Sequence, residues 1–141
     1  MEDFYKLEDQ LCFPLYAASR LVTKCYQPVL DDLGITYPQY LVLMVLWETN
    51  NINLTVLSEK LKLQSNTLTP LVKRMQEMDL VTRKRSEKDE RSIIISLSKK
   101  GSELKMQAPR LHQRISENLG ISAQEASELK KLLDKLILNI S

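Results

Sequence analysis

The side chains best suited to chemistry in this sequence are the two cysteine thiols, Cys12 and Cys25, and the tyrosine hydroxyls near them. Tyr16 follows Cys12 by four residues, so a helix places both side chains on one face, one turn apart. Tyr26 lies on a similar face but about 21 Å further along the helix axis, too far to touch Cys12 of its own chain. Two such helices crossing antiparallel at a two-fold axis would bring Tyr26 of one subunit to Cys12 of the other.

Residue type alone favours a less specific interpretation of these positions. An isolated cysteine is most often a small buried apolar residue, and helix tyrosines usually serve packing. Cys25 is thirteen residues from Cys12, about 20 Å along a helix, whereas a disulfide requires Cα atoms within ~7 Å. No cysteine follows Cys25. A disulfide within one subunit is therefore excluded unless the helix melts. A disulfide between subunits remains possible. Cys25 is expected to be a buried structural thiol.

Hydrophobic spacing predicts long helices at both ends of the chain. A stripe with three- and four-residue steps runs from Phe4 to Val29, interrupted by Pro14, and Gly34 is a candidate end. The second helix opens on a capping box of Thr36 and Gln39 and is apolar nearly all round from residue 40 to 47, so we expect it to be buried. Two helices follow the centre, over residues 99–118 and from Ser122, where Glu125 completes a second capping box.

The centre of the chain predicts a helix-turn-helix followed by a hairpin. Short helices are expected over residues 55–61, capped by Thr55, and 66–78, capped by Ser65 or Asn66. Strand patterns follow over 80–85 and 91–97, joined by a short charged turn. The fold class is therefore mainly α with a small β wing, a winged helix-turn-helix, and the 141 residues form one domain.

The net charge of +2 hides a strongly basic centre. Residues 60–100 hold eleven basic and five acidic side chains, a net +6, which leaves −4 for the rest. Such a centre is typical of a surface that binds a polyanion. The expected double-stranded DNA contacts are short polar and basic side chains of the second short helix and of the hairpin: Ser65, Asn66, Thr67, Thr69, Pro70, Lys73, Arg74, Arg83, Arg85, Lys88, Asp89 and Arg91. A capped surface helix and a solvated, salt-bridged hairpin are the alternative interpretations, and the combination weakens both. In the hairpin, an acidic side chain is expected to fix an arginine rotamer for the minor groove.

The residues Asp89-x-Arg91 and Ile95-x-Leu97-Ser98-x-x-Gly101 resemble the wing signature of the MarR family of bacterial transcriptional regulators. Residues 65–71 are similar to that family's recognition helix, although Asn66 stands where relatives often carry a residue such as Gly. The resemblance spans essentially the whole chain and implies an obligate homodimer on a palindromic operator. It implies that 36–98 is the winged-helix DNA-binding region and that 1–35 and 99–141 form the helical dimerisation region.

Two further segments, 11–16 and 33–43, resemble the OhrR branch of that family, which senses organic hydroperoxides through an N-terminal cysteine. This resemblance implies that Cys12 is the redox-sensing thiol and that Tyr16, Tyr26 and Tyr37 surround it, the partner's tyrosines completing the pocket. Apolar neighbours such as Phe13 and Leu15 would select an organic hydroperoxide over hydrogen peroxide. Without a later cysteine, the sulfenic acid is expected to form a mixed disulfide with a small thiol, or a sulfenamide.

Other functional classes find little support in the sequence. His112 is the sole histidine, so metal-ligand spacing is missing, and no nucleotide or cofactor motif occurs. The acidic N-terminus is unlike a signal peptide, and no apolar run suits a membrane, so a cytoplasmic regulator, not an enzyme, is expected. The expected function is a repressor that leaves its operator when Cys12 is oxidised. The alternatives are a MarR-type regulator of a small aromatic ligand, a broader redox-responsive regulator and a thiol peroxidase.

Overall fold

The computed structural model describes residues 5–141, which fold mainly as helices around a small sheet. The helices are α1 (Cys12–Leu33), α2 (Tyr37–Glu48), α3 (Leu54–Leu61), α4 (Ser65–Glu77), α5 (Lys99–Glu103), α6 (Ala108–Asn118) and α7 (Ala123–Ile140). The strands are β1 (Ile52–Asn53), β2 (Val81–Arg85) and β3 (Ile93–Leu97), and 3-10 turns cover Leu7–Asp9 and Leu104–Gln107. The predicted order of helix, helix, helix-turn-helix, hairpin and helices is confirmed.

The first helix begins later than its apolar stripe predicts. Phe4, where that stripe starts, lies outside the described residues. Pro14 lies in the first turn of α1, where a proline leaves no helical hydrogen bond unmade, so the expected interruption there is wrong. The proline that does lie inside the helix is Pro28. Gly34 ends α1 in the left-handed conformation at φ 72°, as predicted, and its amide donates to the Asp31 carbonyl at 3.1 Å.

The second helix forms the centre of the core, as its composition predicts. The Thr36 hydroxyl accepts from the Gln39 amide and the Gln39 side chain accepts from the Thr36 amide, at 3.3 and 2.9 Å, which confirms the capping box. Leu43 and Leu46 are fully buried, and α2 packs against α3, α4 and β3. This helix therefore supports the helix-turn-helix and the sheet from beneath.

The helix-turn-helix forms as predicted, but its caps differ. Asn53, not Thr55, caps α3, and its side-chain oxygen accepts from the Thr55 amide at 2.7 Å. The next helix starts at Ser65 after Gln64, and neither Ser65 nor Asn66 supplies a capping hydrogen bond. The polar side chains at the start of α4 are therefore not needed to begin the helix.

The sheet contains one strand that local patterns do not predict. The order is β1-β3-β2, with both pairs antiparallel, and Ile95 lies opposite Ile52 on one side and Arg83 on the other. The two-residue strand β1 follows Asn50, whose side chain accepts from the Leu97 amide at 2.8 Å. A strand this short is formed by its partner in the sheet, not by its own propensity.

The helix predicted over residues 99–118 is broken into α5, a 3-10 turn and α6. Pro109 has no N–H to donate to the Lys105 carbonyl, and the Ala108 amide donates to that carbonyl instead. The final helix begins as predicted, with reciprocal hydrogen bonds between Ser122 and Glu125 at 2.9 and 3.0 Å. The hydrogen bond from the Ser122 backbone amide, and to a smaller extent the one with the Ser122 side chain, lower the pKa of the Glu125 carboxyl.

Burial is very uneven along the chain. Val29 and Leu30 at the end of α1 are buried, but Leu7 and Leu11 of the predicted N-terminal stripe are 60% and 71% exposed. No residue of α7 is buried, and its apolar side chains Leu129, Leu132 and Ile137 are exposed. Among the described residues no single helix is long and apolar enough to cross a membrane, and α1 with α2 meets those criteria only as a pair bent by 77°.

Candidate functional site

The fourth helix presents two distinct faces. Leu68, Val72 and Met75 are fully buried beneath it, at the three- and four-residue spacing of a helix face. The opposite face carries the predicted DNA contacts. Ser65, Asn66, Thr67, Pro70, Lys73 and Arg74 are exposed and Thr69 is half-buried. The helix thus directs hydroxyl, amide and basic side chains away from the core, as a recognition helix requires.

The turn between α3 and α4 is fixed by backbone geometry. Lys62 takes the left-handed conformation at φ 56°, and the Leu63 amide donates to the Ser58 carbonyl at 3.1 Å. The Ser58 hydroxyl donates back to the Leu63 carbonyl. These bonds hold the angle between the two helices and therefore the angle at which α4 meets a partner.

The wing carries its cations on the exposed side of the sheet. Arg85, Lys88 and Arg91 are exposed, whereas Arg83 is half-buried opposite Ile95. Among residues 5–141, ion pairs form between Arg110 and Asp32 and between Lys130 and Asp134, and no wing cation takes part in one. The salt-bridged hairpin considered as an alternative is therefore not what forms, and the wing retains its positive charge for a polyanion.

The acidic residue at the wing tip holds the backbone, contrary to the expectation that it fixes an arginine rotamer. The Asp89 carboxylate accepts from the Arg91 backbone amide at 3.0 Å and from the Ser92 hydroxyl at 3.3 Å. Aspartate commonly closes turns in this way. Asp89 thus shapes the loop and leaves the Arg91 guanidinium directed outward on an ordered turn.

The base of the wing is closely packed against α2. A Cβ atom on Gly101 would lie 2.2 Å from the Leu80 carbonyl oxygen, so only glycine fits there. The Trp47 indole donates to the Gly101 carbonyl at 2.9 Å, and the Ser98 hydroxyl accepts from the Gly101 amide at 3.0 Å. The glycine and serine of the wing signature therefore serve to seat the wing on the core.

The candidate sensing thiol lies at the first residue of α1. Cys12 is exposed, and Tyr16, one turn later, is 62% exposed with its ring under the Arg20 guanidinium at 5.4 Å from the centroid. Both residues lie in α1 four positions apart, so the helix places Tyr16 one turn from Cys12. Cys25, expected to be buried, is half-buried.

The other two predicted tyrosines lie together at the far end of α1. The ring centroids of Tyr26 and Tyr37 are 5.0 Å apart, and Tyr40 joins them at 5.9 and 6.3 Å. Tyr40 also meets the edge of Trp47 at 5.9 Å. One chain therefore brings Tyr26 and Tyr37 to each other but not to its own Cys12.

Sequence reasoning missed Tyr40 as a member of this cluster. Its spacing of three residues from Tyr37 was the available signal, because residues three apart share a helix face. Arg20 was missed as well. Its spacing of four residues from Tyr16 carried the same information.

The three clustered hydroxyls remain protonated far above neutral pH. Burial, with the charges of Tyr37 and Tyr40, raises the pKa of Tyr26 to about 12. Burial also raises the pKa of Tyr37, and burial together with Tyr37 raises the pKa of Tyr40. Each hydroxyl is therefore a hydrogen-bond donor at neutral pH, the state needed to stabilise a sulfur anion. Within residues 5–141, no group of three or more His, Cys, Asp or Glu side chains is placed to hold a metal ion.

Comparison with known proteins agrees with this geometry. The sequence profile of the family "Transcriptional regulator SarA/Rot" matches residues 24–108. The organic hydroperoxide resistance transcriptional regulator of Bacillus subtilis (strain 168) is 52% identical over 134 residues, 95% of this chain and 89% of that protein. The HTH-type transcriptional regulator MgrA of Staphylococcus aureus is 37% identical over 97% of this chain and 94% of its own.

Solved structures give the same result. Reduced AbfR bound to DNA, a protein known from Staphylococcus epidermidis, superposes with a TM-score of 0.80 at 38% identity and covers 96% of this chain and 92% of its own. The relatives from Bacillus subtilis and Staphylococcus aureus are transcriptional regulators and not enzymes, as the sequence predicts. A winged helix-turn-helix with an exposed recognition helix, together with a relative identical at half of all aligned positions, shows that the chain belongs to the MarR/SarA family of DNA-binding transcriptional regulators, as an organic hydroperoxide regulator-like member.

Proposed function

We propose that this chain is a cytoplasmic, homodimeric repressor that binds a palindromic operator and releases it when an organic hydroperoxide oxidises Cys12. The observation that carries the proposal is the placement of an exposed Cys12 at one end of α1 and the protonated Tyr26 and Tyr37 at the other. The relative from Bacillus subtilis, 52% identical, is an organic hydroperoxide resistance regulator.

The placement supports a sensor shared between two subunits. Helix α1 is 22 residues long, and Tyr26 lies about 21 Å from Cys12 along its axis. Two copies of α1 crossing antiparallel bring Cys12 of one subunit to Tyr26 and Tyr37 of the other. The exposed apolar residues of α7 and of the start of α1 supply the surface that such a dimer buries. We assign dimerisation to residues 1–35 and 99–141 and DNA binding to 36–98.

The chemistry follows from the tyrosine hydroxyls. The Cys12 thiolate attacks the terminal oxygen of the hydroperoxide, an S–O bond forms and the O–O bond breaks, so that Cys12 becomes a sulfenic acid and the departing alkoxide takes a proton from water to leave as an alcohol. Phe13, the residue after Cys12 in α1, has a ring that is 43% exposed, and an apolar ring at this position favours an organic substituent. Oxidation replaces the sulfur anion by a neutral S–OH group, which weakens the hydrogen bonds from the tyrosine donors. We propose that α1 and α2 then shift and move the two winged regions out of register with successive major grooves.

DNA contact is assigned to the exposed face of α4 and to the wing. Ser65, Asn66, Thr67, Thr69 and Pro70 meet base edges and phosphates in the major groove, with Lys73 and Arg74 on the backbone. Lys88 and Arg91 reach the flanking minor groove from the loop that Asp89 holds, and Arg83 and Arg85 contact the DNA from β2.

Fluorescence anisotropy on DNA from upstream of the gene itself, at fixed salt, tests this function. Wild type, Cys12→Ser and the control Cys25→Ser are titrated with cumene hydroperoxide in the presence of a small thiol. We expect wild type and Cys25→Ser to release DNA and Cys12→Ser to remain bound. Continued binding of all three proteins would instead favour a regulator of a small ligand with an inert Cys12.

A further inference from the structure

A basic cleft opens between α1 and the start of α2, beside the tyrosine that the sensor proposal places at the partner's sulfur. Its volume is about 410 Å³, within the range of small-molecule sites. The lining residues are Arg20, Thr23, Lys24, Gln27, Thr36, Tyr37 and Pro38. The cleft is lined by both polar and apolar surface, is open to solvent and carries two cationic side chains, unlike the apolar faces of α1 and α7.

The two cations of the cleft have no carboxylate partner in the described chain. Arg20 and Lys24 are one helical turn apart, both are exposed, and neither belongs to either ion pair found within residues 5–141. The nearby Asp31 carboxylate accepts a hydrogen bond from the Gln27 side-chain amide at 2.5 Å. The cleft therefore offers two positive charges to an anion from solution.

Arg20 also links the cleft to the candidate sensor. Its guanidinium lies over the Tyr16 ring, an arrangement that restrains the side chain while leaving its N–H donors available. Tyr37 lines the cleft and packs on Tyr26. An anion held by Arg20 and Lys24 is thus placed next to the tyrosines that surround the oxidised sulfur.

A mixed disulfide at the oxidised sulfur needs a second thiol, and the same subunit supplies none nearby. Cys25 is thirteen residues from Cys12 on the same helix, and no cysteine follows it. Within one subunit no second cysteine reaches Cys12, and a mixed disulfide there requires a thiol from solution. Small thiols that carry carboxylates match the charge of the cleft, whereas neutral or cationic thiols do not.

We propose that the cleft of Arg20 and Lys24 binds the carboxylates of a small acidic thiol and directs its sulfur to the oxidised Cys12 of the partner subunit. This inference rests on the proposed function. The incoming thiolate attacks the sulfenic sulfur, an S–S bond forms, the S–O bond breaks, and the departing hydroxide takes the thiol's proton as water. The hydroperoxide consumed earlier is the two-electron oxidant, and the product is a mixed disulfide.

The test separates sulfenic acid formation from its reaction with thiol. Full-length dimer is treated with one equivalent of cumene hydroperoxide, and a dimedone adduct on Cys12, detected by mass spectrometry, verifies the sulfenic acid. Mercaptosuccinate, 2-mercaptoethanol or cysteamine is then added to separate samples, and mixed-disulfide formation is timed by intact mass. Each protein is characterised by the ratio of its mercaptosuccinate rate to its 2-mercaptoethanol rate, which cancels effects on the sulfur itself.

We expect Arg20→Gln with Lys24→Gln to lower that ratio by roughly fivefold to tenfold, the range for losing two exposed charge contacts. Arg20→Lys, which keeps the charge, retains most of the ratio, and added salt lowers it in wild type. Lys131→Gln with Lys135→Gln removes two charges at the same spacing on α7 and leaves the ratio unchanged.

An unchanged ratio in the Arg20 and Lys24 variant overturns the proposal, and so does an equal fall in the α7 control, which would reflect net charge alone. The proposal is also overturned if the ratio of the cysteamine rate to the mercaptosuccinate rate is the same in wild type and in the Arg20 and Lys24 variant. Absence of the dimedone adduct in wild type contradicts the sensor function itself, so the two failures are distinct.

Discussion

The winged region and the ends of the chain differ in how far a single copy buries their apolar side chains and supplies their hydrogen bonds. In the winged region, Leu57, Leu68 and Ile95 are fully buried, and the turn, the wing tip and the wing base are held by hydrogen bonds within the chain. The last helix has no buried residue, and α1 buries side chains only near its end. One copy thus builds an entire DNA-reading surface, whereas the proposed sensor requires a second copy. Under that proposal, oxidation acts on the geometry between copies and not on the fold of the winged region.

The largest effect should come from a charge on the exposed face of α7. Leu132 is 66% exposed, so Leu132→Asp should change the free energy of unfolding of one copy by no more than about 0.5 kcal/mol. If the face is buried between copies, DNA affinity should fall by roughly 10²–10⁴-fold, because the two winged regions no longer bind as one. Analytical ultracentrifugation and anisotropy measure both consequences. A Leu132→Asp protein that remains a dimer and binds DNA normally would contradict burial of the α7 face between copies.

The next effect distinguishes two glycines, one in each region. Gly101→Ala forces a Cβ onto the Leu80 carbonyl and should destabilise the fold by about 2–3 kcal/mol. Gly120, before α7, has open space but a φ of 69°, so Gly120→Ala should cost only about 1 kcal/mol of backbone strain. Urea unfolding of both variants measures the difference. Equal losses would show that the wing base is less rigid than its packing indicates.

A wing cation should matter to DNA alone. Arg91→Gln should lower operator affinity by about tenfold and reduce the slope of log affinity against log salt by about one, the loss of one phosphate or groove contact. Lys135→Gln on α7 removes the same charge far from the wing and serves as the control. The anisotropy titration, repeated at several salt concentrations, would contradict the assignment if both variants lost affinity alike.

The smallest effect concerns pH. The pKa of Tyr26 is raised to about 12 in the fold, against about 10 in an unfolded chain. Between these values the unfolded chain loses the proton first, so stability falls as the pH rises through this window. Tyr26→Phe removes that contribution and should lose less stability there than wild type. Urea midpoints across the window measure it, with Tyr5→Phe, 82% exposed, as the matched control.

The sequence predicts most of the winged region and of the helix ends because the signals are local. The two capping boxes, the left-handed Gly34 and the buried stripe of α4 each depend on residues within one or two turns. The break before Pro109 was also readable locally, from the missing N–H, and was overlooked. By contrast, β1 exists only through its pairing with β3. The wing-tip role of Asp89 likewise depends on the loop that it closes.

The sensor is less predictable because its parts are far apart in the sequence. Spacing along α1 places Tyr16 near Cys12, but the meeting of Tyr26 with Tyr37 and Tyr40 depends on the angle between α1 and α2. The cleft of Arg20 and Lys24 depends on that angle as well. Assignment of Cys12, Tyr16, Tyr26 and Tyr37 to a single site from the sequence therefore relied on family resemblance.

The hydrogen bond from Trp47 to the wing base has a spectroscopic consequence. The chain has a single tryptophan, and its indole touches Tyr40 of the aromatic cluster on one side and the Gly101 carbonyl on the other. Indole emission depends on the bonding of its N–H and on its neighbours. The unlabelled protein therefore carries one intrinsic fluorophore at the junction between the tyrosines and the wing, and its emission should register any oxidation-linked displacement there in real time.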